Sequence, residues 1–103
     1  MIVALVEHFF SEEGRKRFPE WIQVIGDAAS RFSGFVDIRQ MTNIDDPDRT
    51  FFLLSFDSPA QMKSWVDSDE RAELLKEQAP FRLKTHEATR WIAGESWSLA
   101  NVR

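Results

Sequence analysis

Two histidines and one arginine are the side chains of this 103-residue sequence best suited to acid–base chemistry. His86 and Arg90 lie in one predicted strand at an even spacing, so both project from the same face of that strand. There the imidazole could take a proton while the guanidinium stabilises an anion. Alternatively, both form salt bridges with helix carboxylates at an edge strand, where charged side chains also discourage aggregation. His8 shares a strand face with Val6 and Phe10, a setting more typical of a core or interface residue. All three are candidate catalytic residues.

Other types of site find little support in the sequence. The acidic segment 45–48 (DDPD) lacks the glycine and the distant glutamate of a calcium-binding loop, and its proline favours a turn. The four glycines form neither a phosphate-binding loop nor a dinucleotide fingerprint. The absence of cysteine excludes thiolate nucleophiles and cysteine zinc sites. We therefore predict neither a metal nor a cofactor.

Composition and charge restrict the partners and the location of the protein. The net charge is −4, and the 13 basic residues are scattered rather than clustered, which speaks against nucleic acid as a partner. The longest apolar runs have the length of strands, so we expect neither a membrane span nor a signal peptide. The lack of cysteine fits a reducing compartment, and we expect a cytoplasmic protein.

Alternating and helical patterns of apolar residues predict the framework that must position these candidates. Ser11 is a predicted N-cap, and Ser58 forms a capping box with Gln61. The predicted strands extend over 2–10, 35–42, 51–56 and 85–93. One helix is predicted between Ser11 and Ser33. Two successive capped helices follow, the first after Ser58 and the second beginning within residues 67–70. This β-α-β-β-α-β order is that of the split ferredoxin-like fold, an α+β architecture whose four-stranded antiparallel sheet carries its helices on one face.

Two segments leave alternatives open. Pro19 disturbs a continuous helix, so the main helix either starts at Ser11 or begins at Pro19 after a separate turn. The fold accounts for one domain over residues 1–93, followed by a tail over 94–103. Trp97 and Leu99 in this tail either dock across a partner or belong to a disordered end.

The third predicted strand indicates a partner on the far side of the sheet. Residues 51–56 (FFLLSF) are apolar apart from Ser55, so both faces of this strand need cover. The helices supply cover on one side only. An apolar sheet face of this size usually marks an interface, and we predict a two-fold homodimer formed through it.

Several segments also resemble a known family. Residues 56–65 (FDSPAQMKSW), 67–71 (DSDER) and 74–75 (LL) are similar to the second-helix signature of antibiotic biosynthesis monooxygenase (ABM) domains. Residues 31–35 (RFSGF), and the acidic turn before the third strand, resemble the same family. The resemblance extends over about residues 1–92. It implies a dimeric α+β barrel.

The resemblance implies an activity as well as a fold. The family includes cofactor-independent oxygenases of anthrone-like or quinol-like compounds, in which the deprotonated substrate itself reduces oxygen. Trp65 occupies the position of a pocket-lining tryptophan whose N–H can donate to a substrate oxygen, with core packing as the alternative. The haem-degrading branch carries an iron-ligating histidine where residues 74–77 (LLKE) have none. We therefore expect a monooxygenase of a small aromatic substrate, with Trp65 joining the catalytic candidates His8, His86 and Arg90.

Two other functions fit the same fold. A non-catalytic or regulatory module would bind a small apolar ligand without turnover. A structural protein whose dimer surface is its function would have a filled pocket. A cavity lined by Trp65 and a titratable group would favour the monooxygenase and the binding module over the structural protein.

Overall fold

Four strands and three α-helices make up residues 1–95, the part of the chain that the computed structural model describes. Trp97 and Leu99 of the predicted tail lie outside the described residues. None of the helices in this range combines the length and the apolar composition that crossing a bilayer requires. The elements are β1 (Ile2–Phe10), α1 (Glu12–Ser30), β2 (Phe35–Thr42), β3 (Thr50–Phe56), α2 (Pro59–Val66), α3 (Asp69–Gln78), a short 3-10 helix (Ala79–Phe81) and β4 (Arg82–Ile92).

The strands form one antiparallel sheet in the order β2-β3-β1-β4. Alternate residues of β1 are buried beneath the helices, because successive side chains of a strand point to opposite faces. The core between sheet and helices contains Ala4 and Val6 of β1, Phe52 and Leu54 of β3, and Phe18 of α1. The predicted ferredoxin-like α+β fold is therefore confirmed.

Serine caps begin all three α-helices of the described range. The hydroxyl oxygens of Ser11, Ser58 and Ser68 accept hydrogen bonds from the backbone N–H groups three residues later. Each bond satisfies one of the N–H groups that a helix start leaves without a partner. The Ser68 cap starts a new helix directly after α2, so the prediction of two successive helices is confirmed.

Pro19 lies inside α1 and does not divide it, so the alternative of a separate turn before Pro19 is wrong. A proline in a helix interior removes one backbone hydrogen bond and crowds the preceding turn. In this helix the proline is exposed, whereas Phe18 and Ile25 are buried on the opposite side. The packing of this apolar stripe holds α1 together through the local defect.

The last strand begins earlier than the sequence indicates, at Arg82 rather than Thr85, and ends at Ile92 rather than Ala93. Arg82 pairs with Phe10, and the Ser11 N–H donates to the Phe81 carbonyl at 2.8 Å. These long-range bonds extend β4 through residues whose own pattern is not strand-like.

The face of the sheet opposite the helices carries apolar residues on all four strands. Leu5 pairs with Leu53, Val3 pairs with Trp91, and directly paired residues share a face. Glu7 on this face is held by Arg49 through two hydrogen bonds of 2.8 Å. We call this surface the open face; its apolar residues are Val3, Leu5, Phe9, Met41, Phe51, Leu53 and Trp91.

Gly34 supplies the one backbone conformation of residues 1–95 that disfavours a side chain. Its φ is +84°, and a Cβ there would clash with the side-chain amide of Gln61. We expect Gly34→Ala to lower the free energy of unfolding by about 1–2 kcal/mol or more, measured by urea denaturation. Gly94→Ala is the matched control, because apart from its chain neighbours no atom of residues 1–95 lies within 4 Å of the position that its new methyl group would occupy. Equal losses in the two variants would contradict this account.

Candidate functional site

A cavity of about 260 Å³ lies between the helix-facing side of the sheet and the helices. Its floor comes from β1, β3 and β4, and its roof comes from α2 and α3 with Ile25 of α1. The presence of this cavity argues against a structural protein, for which a filled pocket is expected. The lining residues are Ala4, Val6, His8, Ile25, Phe52, Leu54, Met62, Trp65, Val66, Arg71, Leu74, Leu75, Gln78, His86, Ala88 and Arg90.

The four residues singled out from the sequence all line this one cavity: His8, Trp65, His86 and Arg90. They come from three elements, β1, α2 and β4. The antiparallel pairing of β1 with β4 brings the two histidines together, with ring centroids 5.1 Å apart. The geometry thus unites the candidates, and their catalytic role stays a prediction.

Trp65 is both a core residue and a pocket residue. It is 2 % exposed, and its ring makes an edge contact with Phe32 at 5.3 Å between centroids. The cavity also contacts Trp65, alongside Met62 and Val66 of the same helix. The Ser58 cap fixes the start of α2 and therefore where its side chains meet the sheet. The two interpretations of this tryptophan are compatible.

His8 is buried and electrically neutral at physiological pH. It is 4 % exposed and stacks on Phe10, with a centroid distance of 5.0 Å. Burial, followed by the positive fields of His86, Arg82 and Arg71, lowers its pKa to about 3. Its Nδ1 is buried and has no hydrogen-bond partner among the described residues. His8 is therefore a core residue, as the commoner interpretation has it, although its polar groups are not fully satisfied.

His86 is half-buried and lies beside Arg71, a residue that the sequence analysis missed. Arg71 Nη2 is 3.4 Å from His86 Nε2, and Arg71 Nη1 donates to the Val66 carbonyl at 3.2 Å. Burial lowers the pKa of His86, and the charges of Arg71 and Arg82 lower it further. Burial also lowers the pKa of the Arg71 guanidinium. His86 is consequently a neutral imidazole that can accept a proton.

One feature of the sequence sets Arg71 apart from the other charged residues of its helix. Arg71 lies in the first turn of α3, where the helix dipole disfavours a positive charge. A second missed residue is Gln78, which is 1 % exposed and lines the cavity, and whose Oε1 has no hydrogen-bond partner in the described part of the chain. An amide following two leucines of the same helix is unusual for a core position. Polar residues that interrupt an apolar stripe are the general signal for such sites.

Arg90 is exposed and stands at the mouth of the cavity. The ion pairs found within residues 1–95 include neither Arg90 nor His86. The alternative that both residues form salt bridges with helix carboxylates is therefore not what the structure has. Arg90 instead adds a second positive charge, besides that of Arg71, to the lining of the cavity.

Sequence comparison gives limited information. No known family's sequence profile matches the chain. An uncharacterized protein of Synechococcus elongatus is 39% identical over 62 residues, which is 58% of this chain. The chain spans only 29% of the length of that curated relative.

Structural comparison is decisive for the fold. A candidate antibiotic biosynthesis monooxygenase from Deinococcus radiodurans superposes with a TM-score of 0.82, covering 96% of this chain and 98% of the other at 13% identity. The corresponding protein from Bordetella bronchiseptica gives a TM-score of 0.78 over 91% and 97% at 12% identity. The one from Nitrosomonas europaea gives 0.77 over 90% and 98% at 13% identity. The chain has the ABM fold. At such identities the likeness establishes architecture alone.

The cavity in this ABM fold suits a small molecule better than a large cofactor. A volume of about 260 Å³ is below the range of about 300–1,000 Å³ typical of sites for drug-sized ligands, so a haem macrocycle does not fit inside it.

Among residues 1–95 no group of three or more His, Asp or Glu side chains could hold a metal ion. In the acidic segment the Asn43 side chain accepts from the N–H groups of Asp45 and Asp46, as expected for a turn.

Proposed function

We propose that this protein is a cofactor-independent monooxygenase that acts on a small anthrone-like or quinol-like aromatic compound in the cytoplasm. The observation that carries the proposal is the cavity in which Trp65 and the neutral imidazole of His86 meet an apolar wall. An apolar slot with a few polar groups is the usual form of a small-molecule site. The names of the structural neighbours agree with this chemistry.

The proposed reaction needs no external reductant. An activated methylene group of the substrate loses a proton, and the resulting carbanion passes electrons to O₂ and forms a C–O bond. The peroxide so formed takes protons, and its O–O bond breaks as water leaves. The balance is CH₂ + O₂ → C=O + H₂O, in which the carbon is oxidised and oxygen is reduced. The protein has to move protons and stabilise anions.

The side chains divide these tasks according to their surroundings. His86 is the proposed proton acceptor, because it is neutral and less buried than His8. The conjugate anion of the substrate would be stabilised by the nearby arginines and by the indole N–H of Trp65. His8 keeps the floor of the cavity polar but holds a proton poorly, since its pKa is about 3.

We also propose that the protein works as a homodimer formed through the open face. Leu5 and Leu53 lie at the centre of that face, on the two central strands. The charge of Glu7 there is neutralised within the chain by Arg49, whose guanidinium also lies 4.8 Å from the Phe51 ring centroid. An apolar surface with its charges already paired is suited to burial against a second copy.

Oxygen uptake tests the proposed activity. Metal-stripped protein is assayed with a panel of anthrones and naphthohydroquinones, and the uncatalysed rate is subtracted. We expect saturable uptake that falls about tenfold in Trp65→Phe, because one hydrogen bond to a developing anion is lost. Trp21→Phe is the matched control, since Trp21 is a half-buried tryptophan that packs on Phe10 and Phe81 and does not line the cavity.

The outcome separates the enzyme from the binding module. Equal oxygen uptake by the Trp65→Phe and Trp21→Phe variants would show that Trp65 is not part of the site. Saturable binding of these compounds without any uptake above background would favour a non-catalytic or regulatory module that uses the same cavity.

A further inference from the structure

Arg71 is a half-buried cation that has no carboxylate partner among the described residues. The ion pairs within residues 1–95 do not include it, and residues 96–103 contain no Asp or Glu. The acidic side chain that influences it is Asp67, which is itself paired with Lys63. Taking a charge out of water is costly, and buried charges are normally paired. Arg71 therefore carries a cost in the unliganded protein that a bound anion would offset.

The groups of residues 1–95 that line the cavity around Arg71 carry no negative charge. None of the lining residues found in the described range is Asp or Glu. Arginine can only donate, so Nε2 of a neutral His86 accepts from it in the unliganded protein, and an anion bound to Arg71 would free this nitrogen to take a proton. Gln78, which is almost completely buried, has a side-chain oxygen without a partner among residues 1–95 and can present its amide N–H groups. Arg90 adds positive charge at the mouth.

The remainder of the cavity is apolar and limited in size. Val6 and Leu54 line the floor, and Met62, Leu74 and Leu75 line the roof. A dry apolar cavity of about 150 Å³ accommodates benzene. The volume of about 260 Å³ here therefore fits a bicyclic aromatic body with a small substituent and is tight for a tricyclic one.

We propose that the cavity binds an anionic bicyclic aromatic molecule whose charged oxygen group lies on the guanidinium of Arg71. The inference deepens the proposed function and rests on it in taking this ligand as the substrate. The recognised chemistry is an oxyanion attached to a flat apolar ring. A ring carboxylate or an ionised ring hydroxyl supplies it equally well.

Calorimetric titration tests the charge requirement without turnover. The probes are 2-naphthoate, its neutral analogue 2-naphthamide, and 2-hydroxy-1,4-naphthoquinone, whose ring hydroxyl is ionised at neutral pH. We expect at least one of the two anions to bind about tenfold or more tightly than the amide, because a charge-assisted bidentate contact is worth at least that factor. The naphthoate and the hydroxyquinone distinguish a carboxylate from a ring oxyanion as the preferred group.

Two variants on the same helix locate the anion. Arg71→Gln should abolish the preference for the anion while the affinity for 2-naphthamide is retained. Lys76→Gln removes the same charge from an exposed position of α3 and should leave the preference intact. Because burial disfavours the Arg71 charge, the unliganded Arg71→Gln protein should unfold at a temperature no lower than the wild type, so loss of binding is not loss of fold.

The inference is overturned if wild-type protein binds neither anion more tightly than the amide. It is equally overturned if the preference survives in Arg71→Gln, since the anion would then lie elsewhere, as at Arg90. Arg71-dependent binding of an anion, with no oxygen uptake from any compound of the panel, would reject the proposed monooxygenase and retain the anion site. Failure of one proposal is thus separable from failure of the other.

Discussion

The free energy of unfolding should fall by about 2 kcal/mol between pH 8 and pH 5, because His8 must stay neutral to remain buried. The unfolded side chain binds a proton below its ordinary pKa of 6.5, whereas the folded one does so only near pH 3. Between these values the unfolded state holds more protons, so stability decreases as the pH falls. Above pH 6.5 the neutral His8 makes its full contribution to the free energy of unfolding.

The surroundings of His8 explain the size of this effect. Phe10 and Phe52 stack on the ring, at centroid distances of 5.0 and 5.7 Å, and deprive the charged form of solvent. The charged and titratable groups that face it are His86, Arg82 and Arg71, and all of them oppose protonation. His86 has a lowered pKa for similar reasons and adds to the same slope.

Urea denaturation at pH 8 and pH 5 checks this expectation, with His8→Phe as the variant. The substitution keeps an aromatic ring among aromatic neighbours and removes the titrating group, so the loss between the two pH values should shrink by more than half. NMR titration of the two imidazoles offers a direct control, since the His8 signal should not shift above about pH 4. A wild-type protein equally stable at both pH values would contradict the burial argument.

The elements of this fold could be predicted because local signals and long-range packing agree. Serine caps and an alternating strand pattern specify the boundaries of β1, β2 and α2 with little ambiguity. The start of β4 and the continuity of α1 through Pro19 depend on tertiary contacts instead. Those contacts override the local preference of a proline or of a polar segment, and the sequence does not report them.

Part of the candidate site could be predicted, because it depends on a local pattern. The even spacing of His86 and Arg90 is sufficient to put them on one face, since the period of a strand is local. The position of Arg71 depends on the turn at 67–68, after which α3 places a half-buried guanidinium beside His86. In a short helix with many charged residues, the unfavourable place of Arg71 in the first turn is too weak a signal to identify it as the charge that becomes buried.

Replacing Leu5 with glutamate should convert the proposed dimer to a monomer. Leu5 lies on β1, one of the two central strands, and its side chain faces away from the helices next to Leu53. In a single chain this position borders solvent, so a carboxylate there costs little. In a dimer formed through the open face the carboxylate would be buried without a partner, at a cost of about 3–5 kcal/mol, which weakens association about 100-fold or more.

Val24→Glu is the matched control, because Val24 is 47% exposed on α1, on the other side of the sheet. Sedimentation velocity at micromolar protein should give a dimer for the wild type and for Val24→Glu, and a monomer for Leu5→Glu with unchanged circular dichroism. A monomeric wild type, or a dimeric Leu5→Glu, would move the interface away from the open face. The cavity opens on the helix side of the sheet, so the monomeric variant should still bind the anionic probes. Dimerisation and ligand recognition would then be separate properties of the two faces of one sheet.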